Sequence, residues 1–374
     1  MNDRRHILVF SSWYPTWRDP QLGIFIKKQF QALTQFHRIT VVYAQRGKSD
    51  SMVIEEDGDF REILYTYKSP PVLSFLGWRR AYQKLFAEID KETFDLVHLN
   101  VVFPAGWVAG LYARKKNLPL VCSEHWSGYG FDDQYSGRIR KRITKQIFRQ
   151  CQMMLVVSPW LAGALKKRGY DGPVKQVPNI IPFLHLEPSD HPEDLVIYNI
   201  ADHIDRDKNI SGLLKGFARL LEHFPAARLV QIGGGPDTEE LKNLAQELKI
   251  EKSVDFKGLL PNEEVLESIH QASFGIINSR AETFSVVTFE FLAAGKPVVL
   301  TRCGGPEHYF NENLGLLIDP ENDDQLDQAL KQMSNQFSQY SPEELSRFVR
   351  RQFSAEEVAQ KINSAYQEVW QQTN

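Results

Sequence analysis

The sequence predicts an α/β protein of two doubly wound domains, and three observations predict it. Its 374 residues are about twice the length of a common domain. Both halves alternate short, nearly continuous apolar runs with longer helical patterns, which is the habit of parallel strands covered on both faces. Between the halves, residues 178–192 carry Pro178, Pro182, Pro188 and Pro192 and little helical periodicity, so the boundary falls there.

In the first half the strand candidates are residues 7–10, 39–43, 96–99, 118–123 and 153–158, with helices over 23–34 and 107–116. The second half repeats the pattern with strands over 195–200, 228–232, 254–256, 274–278 and 297–300 and helices over 212–222 and 238–248. A last amphipathic helix covers 355–370, with Val358, Ile362, Ala365 and Tyr366 on one face. The expected division is residues 1–185, 186–354 and a C-terminal helix over 355–374. Ligands of open α/β sheets bind beyond the carboxyl ends of the strands, so two such domains in tandem face one another across a cleft.

Hydrophobic residues at 42% and charged residues at 24% are ordinary globular values and argue against long disorder. No apolar run reaches transmembrane length, and the first six residues do not open a signal peptide. Cys122, Cys151 and Cys303 are scattered, which excludes a disulfide framework, argues against a zinc site and suits a reducing cytoplasm. No metal is expected. The net charge of −3 hides a division: residues 1–185 hold 27 Lys/Arg and 16 Asp/Glu, whereas 186–374 hold 17 and 31. The first half therefore suits an anionic partner.

The segment from Ser279 to Glu290, Ser-Arg-Ala-Glu-Thr-Phe-Ser-Val-Val-Thr-Phe-Glu, follows an apolar strand and runs on through Phe-Leu-Ala-Ala-Gly-Lys-Pro-Val-Val. Ser285 is a good N-cap, and Gly295 before Pro297 is a good stop. The free amides of Ser285–Val287 then suit a diphosphate. Glu282 stands just before them, and Glu290 lies about 7–8 Å along the helix at roughly 1.5 Å per residue. That spacing suits one carboxylate near a sugar and one near a ribose. Read alone, both glutamates are solvated helix-end charges.

Here the chain resembles the family-4 glycosyltransferases of the GT-B fold. Glu282-x7-Glu290 with the following Phe-Leu-Ala-Ala-Gly-Lys-Pro-Val-Val looks like their signature. Other pieces occur in family order: Ser-Ser-Trp-Tyr-Pro through Gly23-Ile-Phe-Ile-Lys-Lys-Gln, Asp95-Leu-Val-His-Leu, and Ser123-Glu-His125-Trp-Ser-Gly. Val157-Ser158, Val177-Pro-Asn179, Lys208-Asn, Gly233-Gly-Gly-Pro236 and Val254-Asp-Phe-Lys-Gly258 follow. The resemblance implies a retaining, metal-independent enzyme with a UDP- or GDP-linked sugar as co-substrate and no other cofactor. It implies that Glu282 contacts the donor sugar, Glu290 holds the ribose, and the backbone of Thr283, Phe284, Ser285 and Val286 approaches sugar and diphosphate. The family usually has glycine where Ser285 stands. Lys208 would neutralise the departing diphosphate. Five residues before it the family has arginine, but this chain has His203, so His203 or Arg206 supplies the second cation. Gly23 lets backbone approach a ligand, and His125 lies near the reacting sugar or acceptor. The last helix crosses back onto the first domain.

Two features stand apart. Gly233-Gly-Gly-Pro-Asp-Thr resembles a dinucleotide loop, but Thr238 occupies the last glycine position, which makes it weak evidence for a dinucleotide enzyme. Residues 138–149 place Arg138, Arg140, Lys141, Arg142, Lys145 and Arg149 around Ile139, Ile143 and Ile147, and residues 70–80 are apolar, aromatic and then basic. These suit an anionic membrane surface or a lipid-linked acceptor; the plainer reading is a solvated basic face over packed isoleucines. Nucleic acid is not expected. The reading is a transferase moving sugar to a glycan or lipid-linked glycan in cell-envelope or extracellular polysaccharide synthesis, in the cytoplasm and peripheral to the membrane. The alternatives are a nucleotide-sugar epimerase on the same architecture and a non-catalytic glycan-binding protein.

Overall fold

A computed structural model describes residues 4–19, 22–183 and 186–373. The chain divides into two compact units, Met1–Ile180 with Ala355–Asn374, and Ile181–Ser354. The expected division at 185/186 is thus moved to 180/181, because Ile181 already pairs its amide with the Phe353 carbonyl of the second unit. Leu184 and His185 themselves lie outside the described residues. By these bounds the first unit carries 28 basic and 19 acidic residues, and the second 16 and 28.

The first unit runs β1 (His6–Ser11), α1 (Ile24–Leu33), β2 (Arg38–Gly47), β3 (Ser51–Asp57), β4 (Phe60–Lys68), α2 (Ser74–Ile89), β5 (Leu96–Asn100), α3 (Gly106–Lys116), β6 (Leu120–Glu124), α4 (Arg138–Phe148), β7 (Met153–Val156), α5 (Pro159–Lys167) and β8 (Val174–Gln176). Its sheet has the order β3-β4-β2-β1-β5-β6-β7-β8. Every pair is parallel except β3 with β4, so the expected all-parallel sheet carries an antiparallel edge. That edge strand is largely exposed and acidic at Glu55, Glu56 and Asp57, which blunts it against pairing with another chain. Burial on both faces explains why β1, β5 and β6 read as apolar runs.

The second unit runs β9 (Val196–Ile200), α6 (Asp205–Lys208), α7 (Ile210–Leu221), β10 (Arg228–Ile232), α8 (Thr238–Glu247), β11 (Val254–Gly258), α9 (Asn262–Ile269), β12 (Phe274–Ile277), α10 (Val286–Ala293), β13 (Val298–Thr301), β14 (Gly315–Ile318), α11 (Asp323–Gln336) and α12 (Pro342–Phe353). Its six strands are parallel in the order β11-β10-β9-β12-β13-β14. The strand order reverses between β9 and β12, the switch point at which α/β sheets open a binding crevice.

The last helix, α13 (Ala355–Thr373), belongs to the first unit. Val358, Ile362, Ala365, Tyr366 and Val369 share a core with Phe30 and Leu33 of α1 and Val9 of β1. His98 sits between helix and sheet, with Nδ1 2.5 Å from Tyr366 Oη and Nε2 2.8 Å from Ser123 Oγ. Among the described residues no helix is long and apolar enough to cross a membrane.

Candidate active site

In the second unit the loops after β9 and β12 meet. α6 is a single turn that stops at Asn209, whose left-handed backbone (φ 49°) leaves Lys208 at the corner. From there Lys208 Nζ donates to Glu282 Oε1 at 2.5 Å, and Ser279 Oγ donates to the same oxygen at 2.8 Å. Burial disfavours the Lys208 charge, but the Glu282 carboxylate outweighs it and raises the ammonium above its ordinary value. Glu282 is also fixed by its backbone: its amide donates to the Cys303 carbonyl and its own carbonyl accepts from Gly305, both at 2.8 Å. A side chain at Gly305 would lie 1.9 Å from the Thr283 carbonyl oxygen, so only glycine admits this crossing.

Arg280 clasps the two loops. Its guanidinium donates to the Asp205 carbonyl at 2.6 Å, the Arg206 carbonyl at 3.1 Å and Asn209 Oδ1 at 2.9 Å, and it pairs with Glu321. The sequence reading missed it; the only signal was an arginine two positions before the key glutamate.

Next to Glu282, α10 starts at Val286, and its first amides have no acceptor within the helix. Ser285 precedes it, but not as the expected side-chain cap. Its backbone is left-handed (φ 58°, ψ 78°), its hydroxyl makes no cap bond, and Thr288 Oγ1 donates to it at 2.8 Å. That conformation gives a physical reason for glycine here. Phe284 departs from expectation as well: its side chain is buried against Phe289, Tyr309 and Phe353, so it anchors the loop to the core. Thr283 and Val286 are half-buried, and Glu290 is buried one helical turn further on.

Neither candidate for the second cation joins Lys208. His203 is fully buried with Nδ1 2.8 Å from Thr238 Oγ1, and burial lowers its pKa, which disfavours the charged form a second cation would need. The Arg206 side chain pairs with Asp207 and is 65% exposed, on the solvent side of α6. The glycine-rich loop after β10 packs tightly against the loop after β9. Side chains at Gly233 and Gly235 would lie 1.9 Å from the Ala201 carbonyl oxygen and 2.5 Å from that of His203.

In the first unit, Glu124 ends β6 fully buried. Its carboxylate accepts from the amides of Val102 (3.0 Å), His125 (2.8 Å) and Trp126 (3.0 Å), which ties the loops after β5 and β6 together. Burial raises its pKa against these bonds. His125 packs on Phe25, with ring centres 4.8 Å apart, and its Nε2 lies 3.2 Å from Asn100 Oδ1. Burial pulls it down to about 3, so the imidazole is neutral, and its Nδ1 has no hydrogen-bond partner among the described residues. Gly23 is left-handed (φ 70°), and a Cβ there would come within 2.9 Å of the Trp13 carbonyl, so it is required by loop packing. Trp13, Phe103, Trp126 and Arg140 line a recess beside Glu124, with the guanidinium 4.3 Å from the Trp126 ring centre.

The isoleucines of α4 do not form one packed face: Ile139 is 69% exposed, Ile143 half-buried and Ile147 fully buried. The helix is docked at its end, and at its start Arg140 is also held, by the Gln134 carbonyl at 3.0 Å and the Trp126 ring, so it does not join the expected exposed basic face. Arg138, Lys141, Arg142, Lys145 and Arg149 are exposed. Among the described residues no group of His, Cys, Asp and Glu is arranged to hold a metal.

Residues 185–366 match the family described as Glycosyl transferases group 1, and residues 24–183 match Glycosyltransferase Family 4. The putative teichuronic acid biosynthesis glycosyltransferase TuaC of Bacillus subtilis is 23% identical over 97% of this chain and 98% of its own length. The alpha-monoglucosyldiacylglycerol synthase of Acholeplasma laidlawii is 23% identical over 62% of this chain and 65% of its own. Among solved structures, the sucrose-phosphate synthase of Thermosynechococcus elongatus superposes with a TM-score of 0.80 at 19% identity, over 98% of this chain and 99% of that one. HepE of Anabaena, in complex with UDP and glucose, gives 0.75 at 15% identity, over 98% and 100%.

Proposed function

The chain belongs to the family-4 glycosyltransferases of the GT-B fold, and from that premise we propose that it is a retaining enzyme whose second unit holds a nucleotide sugar. The Lys208–Glu282 pair carries this reading: a cation and a carboxylate 2.5 Å apart, beside the open amides of α10, at the sheet's switch point. The α10 amides and Lys208 receive the diphosphate, Glu282 the sugar hydroxyls and Glu290 the ribose. The UDP and glucose in HepE support a UDP-linked donor.

In the proposed reaction the anomeric carbon–oxygen bond to the diphosphate breaks as an acceptor hydroxyl attacks from the same face. The new glycosidic bond forms, and the hydroxyl proton passes to the leaving phosphate oxygen. Lys208 and the helix amides hold the charge that develops there. No protein nucleophile and no metal ion takes part in this scheme.

The acceptor is a glycan or lipid-linked glycan carried by the first unit, and the TuaC and glucosyldiacylglycerol synthase relatives support that class. The exposed cations Arg138, Arg142 and Lys145 of α4 then meet an anionic headgroup or pyrophosphate, which makes the enzyme peripheral to a membrane on its cytoplasmic side. The test is transfer from a panel of UDP- and GDP-sugars, with the product's anomeric configuration read by NMR. An inverted product would overturn the retaining mechanism, and an epimerised nucleotide sugar formed without acceptor would overturn transfer itself.

A further inference from the structure

The starts of α2 and α3 share an apolar face that the fold does not use. α2 packs on its sheet through Gly77, Ala81, Tyr82, Leu85 and Ile89, and a side chain at Gly77 would come within 2.6 Å of Ser69 Cβ. The opposite side carries Val72 just ahead of the helix, 94% exposed, with Phe75 at 55% and Leu76 at 49%. The rings of Phe75, Trp78 and Trp107 stack on one another, with centres 5.3–6.1 Å apart and planes within 22°. Leu111, one turn beyond Trp107 on α3, is 39% exposed. A monomer rarely leaves such large side chains together in water without a use for them.

The charge around this face is of one sign. Arg79 and Arg80 follow Phe75 and Leu76 by one helical turn, are exposed, and form no ion pair among the described residues. The acids at the helix end are already paired, Glu88 with Arg61 and Lys91 and Asp90 with Lys115 and Lys116. α4 packs beside α3, through Ile147 against Gly110, and presents the exposed Arg138, Arg142 and Lys145. These helices lead back into β5, β6 and β7, so their starts lie at the carboxyl edge of the sheet, the edge that ends in Glu124 and His125.

We propose that the stacked aromatic face of α2 and α3 enters the headgroup boundary of an anionic lipid bilayer, while Arg79 and Arg80 reach back to the phosphates. Aromatic rings at the apolar boundary and arginines that bury their stems while keeping the guanidinium wet are the parts an interfacial segment needs. A second copy of the chain fits less well, because a two-fold contact through this face would bring like-charged arginines together. The proposal deepens the lipid-linked acceptor reading and rests on it only for biological purpose; vesicle binding needs neither donor nor acceptor, so either reading can fail alone.

The experiment is co-sedimentation of the full chain with phosphatidylcholine vesicles with and without phosphatidylglycerol, together with tryptophan quenching by brominated lipid. The wild-type protein binds the anionic vesicles and its tryptophans are quenched. The Val72→Ser, Phe75→Ser, Leu76→Ser triple variant, altered only at exposed positions, melts as the wild type does. It loses quenching and binds about 30-fold or more weakly, from the apolar area withdrawn. Binding without quenching and unchanged in the triple variant would overturn insertion and leave a purely electrostatic contact through α4. No vesicle binding would overturn the proposal outright, as would a wild-type dimer that the triple variant abolishes.

Discussion

Lys208 Nζ and Glu282 Oε1 lie 2.5 Å apart although the residues are 74 positions apart, and Arg280 locks the two loops that carry them. The pair joins a loop after β9 to a loop after β12, the neighbouring strands between which the strand order reverses. In the proposed reaction its two members would act on either side of the bond that breaks, the carboxylate at the sugar and the ammonium at the leaving phosphate.

Glu282→Gln and Lys208→Met should therefore each lower kcat/KM for transfer by about 10²–10³-fold, the cost of removing one charge-stabilising group. Both side chains are mostly buried, so removing either one strands the other and should lower stability as well, which the melts separate from the loss of catalysis. Steady-state kinetics with thermal melts checks this; near wild-type kcat/KM in either variant would sink the site assignment.

Ser285 makes a sharper backbone test. A residue held at φ 58° carries a strain of about 1–2 kcal/mol that glycine lacks, and the Ser285 hydroxyl returns part of it through its bond with Thr288. Ser285→Gly should match or exceed the wild type in Tm, whereas Ser285→Ala, strained and without the bond, should lie about 1 kcal/mol below the glycine variant. Equal stability of the alanine and glycine variants would contradict the left-handed geometry.

What the sequence reveals and what it hides follows from where the information sits. α13 was legible because Val358, Ile362, Ala365 and Tyr366 recur at helical spacing on one buried face. The β3–β4 hairpin was not, since β3 buries almost nothing and its acidic residues carry no strand signal. Glu282 and Lys208 were legible through their motifs, but their mutual bond was not, because it depends on two loops meeting in space. His203 looked like a cation in the sequence, but in the fold burial, with a smaller push from Lys242, lowers its pKa and disfavours the charge. Serine at 285 looked like a cap by residue type, and only its backbone angle shows otherwise.

Buried imidazoles set the response to acid. Burial pulls His98 and His125 down to about 3 from 6.5, and lowers His6, His37 and His203 as well. Between pH 3 and 6.5 the unfolded chain binds protons at His98 and His125 that the folded chain refuses. Stability from these groups is thus full above pH 6.5 and is lost as the pH falls through that window. Denaturant melts from pH 7 to 4 should show a falling midpoint, and His98→Gln should flatten the slope by up to one proton. An unchanged slope in that variant would show that His98 does not refuse the proton.

Lys296 works at the other end of the scale. It is fully buried between α10 and β13, and its ammonium donates to the carbonyls of Asp190 (2.7 Å) and Ser189 (3.3 Å). Burial pulls it down to about 8 from 10.5, against a weaker lift from Asp190. Below pH 8 it is protonated in both states and the folded protein bears the whole cost of a buried charge. Between pH 8 and 10.5 the unfolded chain holds a proton that the folded chain has released, so this group's contribution to stability rises with pH and levels off above 10.5. Lys296→Met removes the titration together with two carbonyl bonds. It should be less stable than the wild type at pH 7.5 only by what those bonds add beyond the charge's desolvation, and its pH slope from 8 to 10 should be lower by up to one proton. Chemical denaturation of both proteins across that range measures the difference; parallel curves would mean that Lys296 keeps an ordinary pKa, with water reaching its ammonium.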